Sequence, residues 1–566
     1  MAGDSSFPGL EIAFNVQQMA AELQNALEQN QENFQVTRGK ISDIRYEPGS
    51  RCILLYRFTI QDRLTGLVYN QLFAGVLLMK GQSPPVFPDE ELLRFRRMSE
   101  VPVHTPLFYL ARPWMVLYTF PFDSSLPWMV DLLDTKLMKK RLNTIWSPGG
   151  LKVREVKISS LGYTPLRRAA FLYQCNIENQ KTGTTEWREM VGKTSSYRDP
   201  EWLFAATWAL WQACHRKVGL PRPEGYLIHP RLALHEKVPG ERLGNLVGRD
   251  SFRRILLKTA GSLAEIHRCI IPLSKVRKSR HEIRNLNRLS DVLLNACPDL
   301  KLRVVRLRQS LINQIHSRIK ISGPVHGDFH YTNVLTEGEK VWFIDFDGMG
   351  YGDPCSDVGR FLASLRIPSL RVFGNISNIV EDSEVFLDEY MRISAVEANN
   401  IRLFESASLF ASAASLFRIQ RPGWEEEVSL VLKEAERIFR LSTPKKALSV
   451  SLSKQVKPVL PLKERLKWAK DSTYMQAVLD PCLREAYGFE IRDCKILSTK
   501  KTESGYLIRY NIPGLKGRRK SSIEMEGFLP VEWKSLKAIA GGRNEAFRVR
   551  RSIGSIETIG LILLEP

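Results

Sequence analysis

The chain has 566 residues, of which 82 are Lys or Arg and 61 are Asp or Glu, so its formal net charge is +21. The 43% of hydrophobic residues excludes a collagen-like, coiled-coil or largely disordered protein, and the length predicts about three or four domains. The positive charge suggests an acidic partner such as nucleic acid, an anionic membrane surface or a phosphorylated substrate, although ordinary solubility charge explains it equally well.

The cysteines and the N-terminal segment bear on the cell compartment. None of the eight cysteines forms a CxxC pair, and eight in so long a chain do not make a disulfide scaffold. The first twenty residues lack a basic segment followed by an apolar one, and no apolar run approaches about 18 residues. We therefore expect a cytoplasmic protein without a membrane span. The oligomeric state is not indicated.

The first segment of the chain predicts a helix over 11–34, followed by strands at 52–60 and 66–79 joined by the turn DRLTG. A similar pattern returns from about residue 150. Residues 46–60 (YEPGSRCILLYRFTI) and 163–177 (YTPLRRAAFLYQCNI) are identical at six of 15 positions. This predicts a duplicated β-unit.

In both copies a lysine closes the following strand, so Lys80 is expected to be the counterpart of Lys193. Lys80 itself is not expected to be catalytic. A third, fainter copy begins near Val478, where chance similarity between amphipathic strands stays an open alternative.

Helical patterns dominate 201–320, a short β-rich block follows, and helices return up to about 442. The stretch STPKKALSVSLSKQVKPVLPLK then has no periodicity and predicts a linker. The predicted units are an N-terminal α+β unit, a central domain, a linker and a basic α+β unit, at 1–130, 131–445, 446–463 and 464–566. Their net charges are −2 for the first unit, +13 for the central domain and +10 for residues 446–566.

The segment 323–362 carries the clearest chemistry. Asp328 lies in a turn after an apolar strand end, Asn333 follows five residues later, and a second apolar strand ends at Asp345. A carboxylate at the tip of a buried strand is costly unless it binds a cation or has a charged partner. Asp and Asn oxygens suit Mg²⁺, and a base, an Asn and a metal-binding Asp around a hairpin are the working parts of phosphoryl transfer. The spacing D-x-x-x-x-N also matches the kinase catalytic loop.

The motifs HGDFHYTNVL, FIDFD and GDPCSDVGRFL occur in this order, and the chain around them resembles the aminoglycoside phosphotransferase and choline kinase family over about 131–445. The resemblance implies a bilobal, protein-kinase-like α+β fold with a small β-rich N-lobe and a mainly helical C-lobe. The additional small α+β units at the two ends would resemble this N-lobe. The resemblance further implies Asp328 as catalytic base, Asn333 and Asp345 as Mg²⁺ ligands, His326 as a support of the loop backbone and Asp357 as its brace.

Upstream segments fit the same resemblance, which implies ATP and Mg²⁺ as cofactors. EMVGKTSS places Lys193 where the family's ATP-phosphate lysine lies, and LALHEKVPGERLG resembles the strand and hinge that receive adenine. Glu236 and Val238 would offer backbone groups to the base there. Glu201 is the nearest candidate for the helix partner of Lys193, although the spacing is short.

Four further features depart from the family or have an ordinary structural interpretation. No G-x-G-x-x-G loop precedes Lys193; in the replacement SLGYTPLRRA, Arg167 or Arg168 could contact phosphates, but simple exposure is the commoner outcome. Asp347 could add a metal contact, whereas solvating the turn is slightly favoured. His326 and His330 are four residues apart, but Gly327 argues against a helical zinc motif. Trp202, Trp208 and Trp211 are expected to pack in a core or groove.

These observations predict an ATP- and Mg²⁺-dependent phosphotransferase that acts on a hydroxyl of a small molecule, such as a sugar, an amino alcohol or an aminoglycoside-like compound. The basic central domain weakly favours a sugar or an anionic acceptor. One alternative is a non-catalytic, kinase-like binding or regulatory protein, although a degenerate kinase would usually have lost Asp328, Asn333 or Asp345. The other is a nucleic-acid-associated protein, which would bind through the basic tail in a salt-sensitive way.

Overall fold

The computed structural model describes residues 4–98, 101–394, 396–419, 421–442, 460–487, 489–502, 505–516, 519–530, 552–556 and 561–564. Most of the expected linker at 446–463 therefore lies outside the described residues, as does the second basic cluster of the tail, GGRNEAFRVRRS. Within the described ranges, no helix is long and apolar enough to cross a membrane. The unit boundaries stay a prediction.

The first unit consists of two helices and a five-stranded sheet, with a third helix inserted before the last two strands. Its elements are α1 (Leu10–Phe14), α2 (Val16–Gln29), β1 (Phe34–Glu47), β2 (Arg51–Asp62), β3 (Val68–Leu77), α3 (Asp89–Arg96), β4 (Leu107–Leu110) and β5 (Met115–Thr119). The single helix expected over 11–34 is thus two helices. The reason is Asn15, whose side chain accepts hydrogen bonds from the backbone of Gln17 and Gln18 at 3.1 Å and so starts a new helix.

The second unit repeats this plan. Its elements are α4 (Met129–Leu133), α5 (Thr135–Trp146), β6 (Leu151–Thr164), β7 (Arg168–Asn179), β8 (Thr185–Ser195), α6 (Pro200–Cys214), β9 (Pro223–Leu227) and β10 (Leu232–Glu236). Asp134 caps α5 by accepting a hydrogen bond from the backbone of Leu137 at 2.9 Å. This sheet forms the small lobe next to the candidate active site.

A helical lobe follows the second sheet and carries three short strand pairings. Its elements are β11 (Glu241–Arg242), α7 (Phe252–Arg268), α8 (Ser279–Ala296), α9 (Lys301–Arg318), β12 (Gly323–Val325), β13 (Val334–Glu337), β14 (Lys340–Phe343), β15 (Gly350–Gly352), α10 (Pro354–Phe373), α11 (Val380–Ile393), α12 (Ala398–Ile419) and α13 (Trp424–Ser442). Strand β12 pairs with β15, and β13 pairs with β14, so that the motif residues lie between two small hairpin-like pairings. Together with the second sheet, this lobe gives the bilobal, protein-kinase-like α+β fold that the motifs implied.

The C-terminal unit again has two helices before a sheet. Its elements are α14 (Leu462–Ala469), α15 (Ser472–Tyr487), β16 (Phe489–Ile491), β17 (Lys495–Lys501), β18 (Gly505–Lys516), β19 (Arg519–Pro530), β20 (Ser552–Ile556) and β21 (Leu561–Leu564). Strands β16 and β17 pair with successive parts of β18, as the single strand β6 pairs along β7.

The three sheets share one strand order. It is β1-β2-β3-β5-β4 in the first unit, β6-β7-β8-β10-β9 in the second and β17-β18-β19-β21-β20 in the last, with every neighbouring pair antiparallel. Each is a three-stranded meander followed by a hairpin whose second strand joins the meander. The flanking units therefore have the topology of the kinase-like small lobe.

A buried tyrosine marks the middle strand of each meander. Its hydroxyl donates a hydrogen bond to a carbonyl of the helices before the sheet, which satisfies a polar group that burial would otherwise leave unpaired. The pairs are Tyr56 with Ala13 at 2.6 Å, Tyr173 with Leu132 at 3.0 Å and Tyr510 with Ala469 at 2.8 Å. This contact ties each sheet to its leading helices in the same register.

The first two copies share a second contact, between an aspartate before the helices and the end of the long first strand. Asp4 accepts from the Tyr46 hydroxyl at 2.7 Å, and Asp123 accepts from the Tyr163 hydroxyl at 2.7 Å. Both tyrosines belong to the two matching sequence segments. The duplication therefore extends to side-chain contacts that the sequence comparison did not include.

The strand register corrects the expected counterpart of Lys193. Lys193 lies opposite Ala170, three residues before the marker Tyr173. The same position in the first copy is Val76, opposite Ile53, and Lys80 lies beyond the end of β3. In the last unit Phe528 takes this position. The earlier pairing of Lys80 with Lys193 was wrong because it counted strand ends, whereas the cross-strand register decides which side chain reaches the lobe interface.

The flanking units pack on opposite parts of the central domain. On the first unit, Asp43 accepts two hydrogen bonds of 2.9 Å from Arg418 on α12, and the ring of Phe14 stacks on Phe417. On the C-terminal unit, Asp471 accepts from the indole of Trp208 on α6 at 3.2 Å. As expected, Trp208 packs in a groove between elements.

Candidate active site

The loop after β12 is held from behind by Asp357, which lies in the first turn of α10. Its carboxylate accepts hydrogen bonds from the backbone N–H groups of His326 at 2.6 Å and Gly327 at 2.9 Å, and His267 approaches it at 3.2 Å. Asp357 is 1% exposed, and these hydrogen bonds satisfy a charge that would be costly to bury unpaired. Its position is that of the brace expected from the motif.

His326 connects this loop to the strand before Asp345. Its Nε2 atom contacts the Ile344 carbonyl oxygen at 2.8 Å, and its Nδ1 atom accepts from the backbone N–H of Asp328 at 3.3 Å. Burial lowers the pKa of His326, which keeps the ring neutral with its proton on Nε2. The His326 ring thereby holds the loop after β12 at a fixed distance from Ile344, which follows β14.

The approach of the two loops requires glycine at Gly327. This residue has φ +78, and a Cβ atom on it would lie 2.3 Å from the carbonyl oxygen of Gly348 in the next loop. The glycine of the HGD motif is therefore required for steric reasons, in addition to matching the family motif.

Asp328, the expected catalytic base, lies at the exposed end of this loop. Its carboxylate accepts a hydrogen bond from Arg360 of α10 at 2.9 Å and lies 3.8 Å from His330. Burial alone would raise the pKa of Asp328, but the hydrogen bond with His330 and the charge of Arg360 outweigh it and hold the pKa well below its usual range. Asp328 is therefore ionised near neutral pH. Arg360 was missed in the sequence, although it follows Asp357 by three residues on the same helix face.

Lys193, Asp345 and Asp347 form an ion-paired cluster across the lobe interface. The ammonium group of Lys193 donates to Asp345 at 2.7 Å and to Asp347 at 3.1 Å. Burial opposes the charge on Lys193, but the two carboxylates raise its pKa to about 12. Asp347 is 8% exposed and holds a lysine, so the interpretation that it merely solvates the turn was wrong.

Two further observations concern cation binding at this cluster. Asp345 has φ +67 and ψ +53, a left-handed conformation that is uncommon for a residue other than glycine and occurs frequently at functional sites. Asn333 donates its amide N–H to the Asp328 carbonyl at 3.0 Å, so its Oδ1 atom is the one suited to a metal. The hard oxygens of Asn333, Asp345 and Asp347 fit Mg²⁺, which takes one or two carboxylates and completes its shell with phosphate and water.

Arg168 takes the place of the missing glycine-rich loop. It lies at the start of β7, 3.9 Å from Asp347, and lines the cavity that also contains Asp328. Burial opposes its charge, but Asp345 and Asp347 raise the pKa of Arg168 overall. Simple exposure was expected for both arginines. Arg167, in the turn before β7, is exposed, whereas Arg168 is only partly exposed and approaches Asp347.

The expected pair between Lys193 and Glu201 is not formed, which corrects that assignment. Glu201 lies in the first turn of α6 and is buried, but its carboxylate is 3.6 Å from Arg484 of the C-terminal unit. Lys193 is only eight residues before it and instead reaches the two aspartates of the other lobe. The C-terminal unit thus supplies Arg484 as the cation near Glu201, the carboxylate that the sequence had suggested as the partner of Lys193.

The hinge residues lie at the end of β10 and just beyond it. Glu236 is exposed and its backbone N–H already donates to the Arg222 carbonyl at 2.8 Å, so that N–H is not free for a nucleobase. Val238 is buried two residues later. Their backbone contacts with adenine stay a prediction.

Next to the hinge, buried His235 should make stability depend on pH. Burial, with a smaller effect of Lys193, lowers the pKa of His235 to about 3, whereas an unfolded histidine titrates near pH 6.5. Between these values the unfolded chain binds a proton that the folded chain does not, so stability falls as the pH falls from 6.5 towards 3. The slope attributable to His235 approaches about 1.4 kcal/mol per pH unit.

Denaturant unfolding of the wild type and of His235→Gln at pH 7.0, 6.0 and 5.0 measures this slope. The variant keeps a polar partner for Thr207, whose hydroxyl lies 3.1 Å from the His235 ring. We expect a shallower loss of unfolding free energy in the variant, and equal slopes would contradict the assignment of a neutral, buried ring.

A cavity of about 500 Å³ opens beside Asp328. Helix α10 lines one side of it and helices α8 and α12 line the other. Residues before and after Asp357 thus line a space large enough for a small molecule next to the ionised carboxylate.

Comparisons with known proteins agree with the motifs. Residues 179–376 match the model of the phosphotransferase enzyme family, APH. Among solved structures, the aminoglycoside phosphotransferase APH(4)-Ia is 13% identical, with 54% of this chain and 99% of that chain covered and a TM-score of 0.38. The choline kinase LicA from Streptococcus pneumoniae is 14% identical, with 54% and 99% covered and a TM-score of 0.35.

The ethanolamine kinase from Plasmodium vivax is 11% identical, with 56% of this chain and 90% of that chain covered and a TM-score of 0.36. A comparison with curated protein sequences gave no match. This match agrees with the resemblance on which the site assignment began: residues 179–376 of this chain are similar to the phosphotransferase enzyme family.

Proposed function

We propose that the chain transfers the γ-phosphoryl group of ATP to a hydroxyl group of a small molecule. The observation that carries this proposal is the position of Arg168, which lies 3.9 Å from Asp347 of the lysine cluster and lines the same cavity as Asp328. Arg168 thus connects the cluster proposed to bind the nucleotide with the cavity of the proposed base. The match of residues 179–376 to a phosphotransferase family supports the same reaction class.

In the proposed step, the acceptor hydroxyl lies in the cavity with its proton directed at Asp328. Its oxygen forms a bond to the γ-phosphorus, the bond from this phosphorus to the oxygen bridging to the β-phosphate breaks, and ADP leaves. The hydroxyl proton passes to the Asp328 carboxylate. Arg360 holds this carboxylate in place through the 2.9 Å hydrogen bond.

The other residues would position the nucleotide. Lys193 would grip the α- and β-phosphates, and Arg168 would contact the transferred group from the side opposite α10. Asn333 and Asp345 would hold Mg²⁺, whose charge would offset that of the phosphates. Glu236 and Val238 would contact adenine. A cytoplasmic location stays part of this proposal, since it rests on the cysteine pattern.

Replacing Lys193 by Met tests the nucleotide site. We expect MgADP to bind about 10- to 100-fold more weakly, because a hydrogen bond to a charged group contributes about 1.5–3 kcal/mol. Calorimetric titration of MgADP into the full chain measures this.

The matched control is Lys80→Met, which removes the lysine that follows β3 in the first unit. Because Val76 and not Lys80 takes the Lys193 position, this control should bind MgADP as the wild type does. Unchanged MgADP affinity in Lys193→Met, or no MgADP binding by the wild type, would refute the proposed function.

A further inference from the structure

The cavity beside Asp328 has an unusual balance of charge for a pocket that would receive a cationic acceptor. Arg168, Arg360, Arg371 and Arg418 line it. Within the described part of the chain, its acidic lining residues are Glu282 and Asp328, and both are already paired, with Arg277 at 3.1 Å and Arg360 at 2.9 Å. The serines of α10 and α12 add neutral hydroxyl groups, so the cavity is basic and rich in hydrogen-bonding groups.

The first unit contacts a residue that lines this cavity, and it carries a further arginine near that contact. Arg418 lines the cavity and is held by Asp43 of β1 through two hydrogen bonds of 2.9 Å. Arg45 follows two residues later on the same strand. On the facing helix α8, Arg288 donates to the side-chain oxygen of Asn285, a cavity-lining residue, at 3.1 Å.

These arginines are close enough to repel one another. Burial and the positive charges of Arg167, Arg51 and Arg288 lower the pKa of Arg45 to about 10. The Nη1 atom of Arg45 is also buried without a hydrogen-bond partner, which is costly for a charged donor. A bound anion would relieve both costs, and planar guanidinium groups suit the oxygens of a phosphate group.

We propose that the acceptor is a small alcohol that carries a phosphate group, and that Arg45 and Arg288 bind this group where the first unit meets helix α8. This inference rests on the proposed function, because it assigns the second substrate of the same site. It gives the first unit a role: a degenerate copy of the small lobe, with Val76 in place of the lysine, supplies part of the acceptor wall.

The test uses the full chain saturated with MgADP at constant ionic strength, and calorimetric titration with inorganic phosphate, glucose 6-phosphate and glucosamine. We expect phosphate to bind, glucose 6-phosphate to bind at least as tightly, and glucosamine to bind at least 10-fold more weakly than either. In Arg45→Gln and in Arg288→Gln, phosphate should bind at least 10-fold more weakly, whereas MgADP binding should be unchanged. Arg112→Gln, which alters an exposed arginine of the first unit, is the matched control.

The outcomes separate the two proposals. Loss of phosphate binding in Lys193→Met with normal binding in both arginine variants would place the anion at the γ-phosphate position and overturn the inference. The inference would also be overturned if phosphate did not bind, or if glucosamine bound more tightly than phosphate. It would be overturned as well if glucose 6-phosphate bound 10-fold more weakly than free phosphate, because the anion would then not be part of an acceptor. Failure of MgADP to bind refutes the proposed function, while the phosphate titration of the arginine variants still reports on the arginine site.

Discussion

Replacing Asp328 by Asn should lower ATP consumption in the presence of a mixture of sugars, sugar phosphates and amino alcohols by about 100- to 10,000-fold, the usual contribution of a general base. The amide keeps the shape of the carboxylate but does not accept the proton of the hydroxyl group. Because the pKa of Asp328 lies well below its usual range, the wild type should keep this activity down to mildly acidic pH. Single-turnover assays with labelled ATP measure the transfer step.

The control for this variant is nucleotide binding. Asp328 lines the cavity and does not contact Lys193, which donates to Asp345 and Asp347. The MgADP affinity of the variant should therefore stay within about 3-fold of the wild type, a change below about 1 kcal/mol. Transfer by Asp328→Asn at more than a tenth of the wild-type rate would show that another group accepts the proton.

Replacing Asp345 by Asn should reduce transfer by at least about 100-fold, because a metal ligand in a phosphoryl-transfer site contributes several kcal/mol. Asn removes the charge that pairs with Lys193 at 2.7 Å and leaves Asp347 to hold the lysine at 3.1 Å. Asn also tolerates the left-handed conformation of Asp345, at φ +67, so the backbone should persist. Titration of Mg²⁺ in the transfer assay should show that half-maximal activity requires a higher Mg²⁺ concentration than in the wild type.

Asp345→Ala separates charge from backbone effects. It removes the same charge but adds the steric cost of a non-polar side chain in the left-handed region, of order 1–2 kcal/mol. We expect both variants to lose activity and only the alanine variant to show a clearly lower melting temperature. Full activity of Asp345→Asn at low Mg²⁺ would contradict the assignment of Asp345 as a metal ligand.

Much of the reaction centre could be read from local sequence, because its parts are close in the chain. Asp328, Asn333 and Asp345 lie within 18 residues, and strand–turn–strand folding brings such residues together whatever the rest of the chain does. His326 and Asp357 were recognisable for the same reason. The duplicated meander was equally visible, since six identities in 15 positions reflect a shared pattern of buried side chains.

Several of the errors involve partners from distant elements. Lys193 selects Asp345 and Asp347, about 150 residues away, while Glu201 is engaged by Arg484 from the last unit. Lys80 was paired with Lys193 because each lysine follows a predicted strand, whereas the hydrogen-bond register places Val76 at the position equivalent to Lys193. Ion pairs and strand register depend on which surfaces meet, and local composition carries little information about that.

The amino-acid sequence was sufficient to identify the protein-kinase-like core and its reaction class, because the residues expected to act as base, metal ligands and brace belong to one contiguous block. The net charge of +21, in contrast, could not be assigned to a place on the molecule from the sequence alone. Folding places Asp43 and Arg45 of the first unit near Arg288 and Arg418 of the helical lobe, and so concentrates positive charge next to the cavity beside Asp328. Electrostatic repulsion depends on distance in space, so this basic site exists only in the assembled fold.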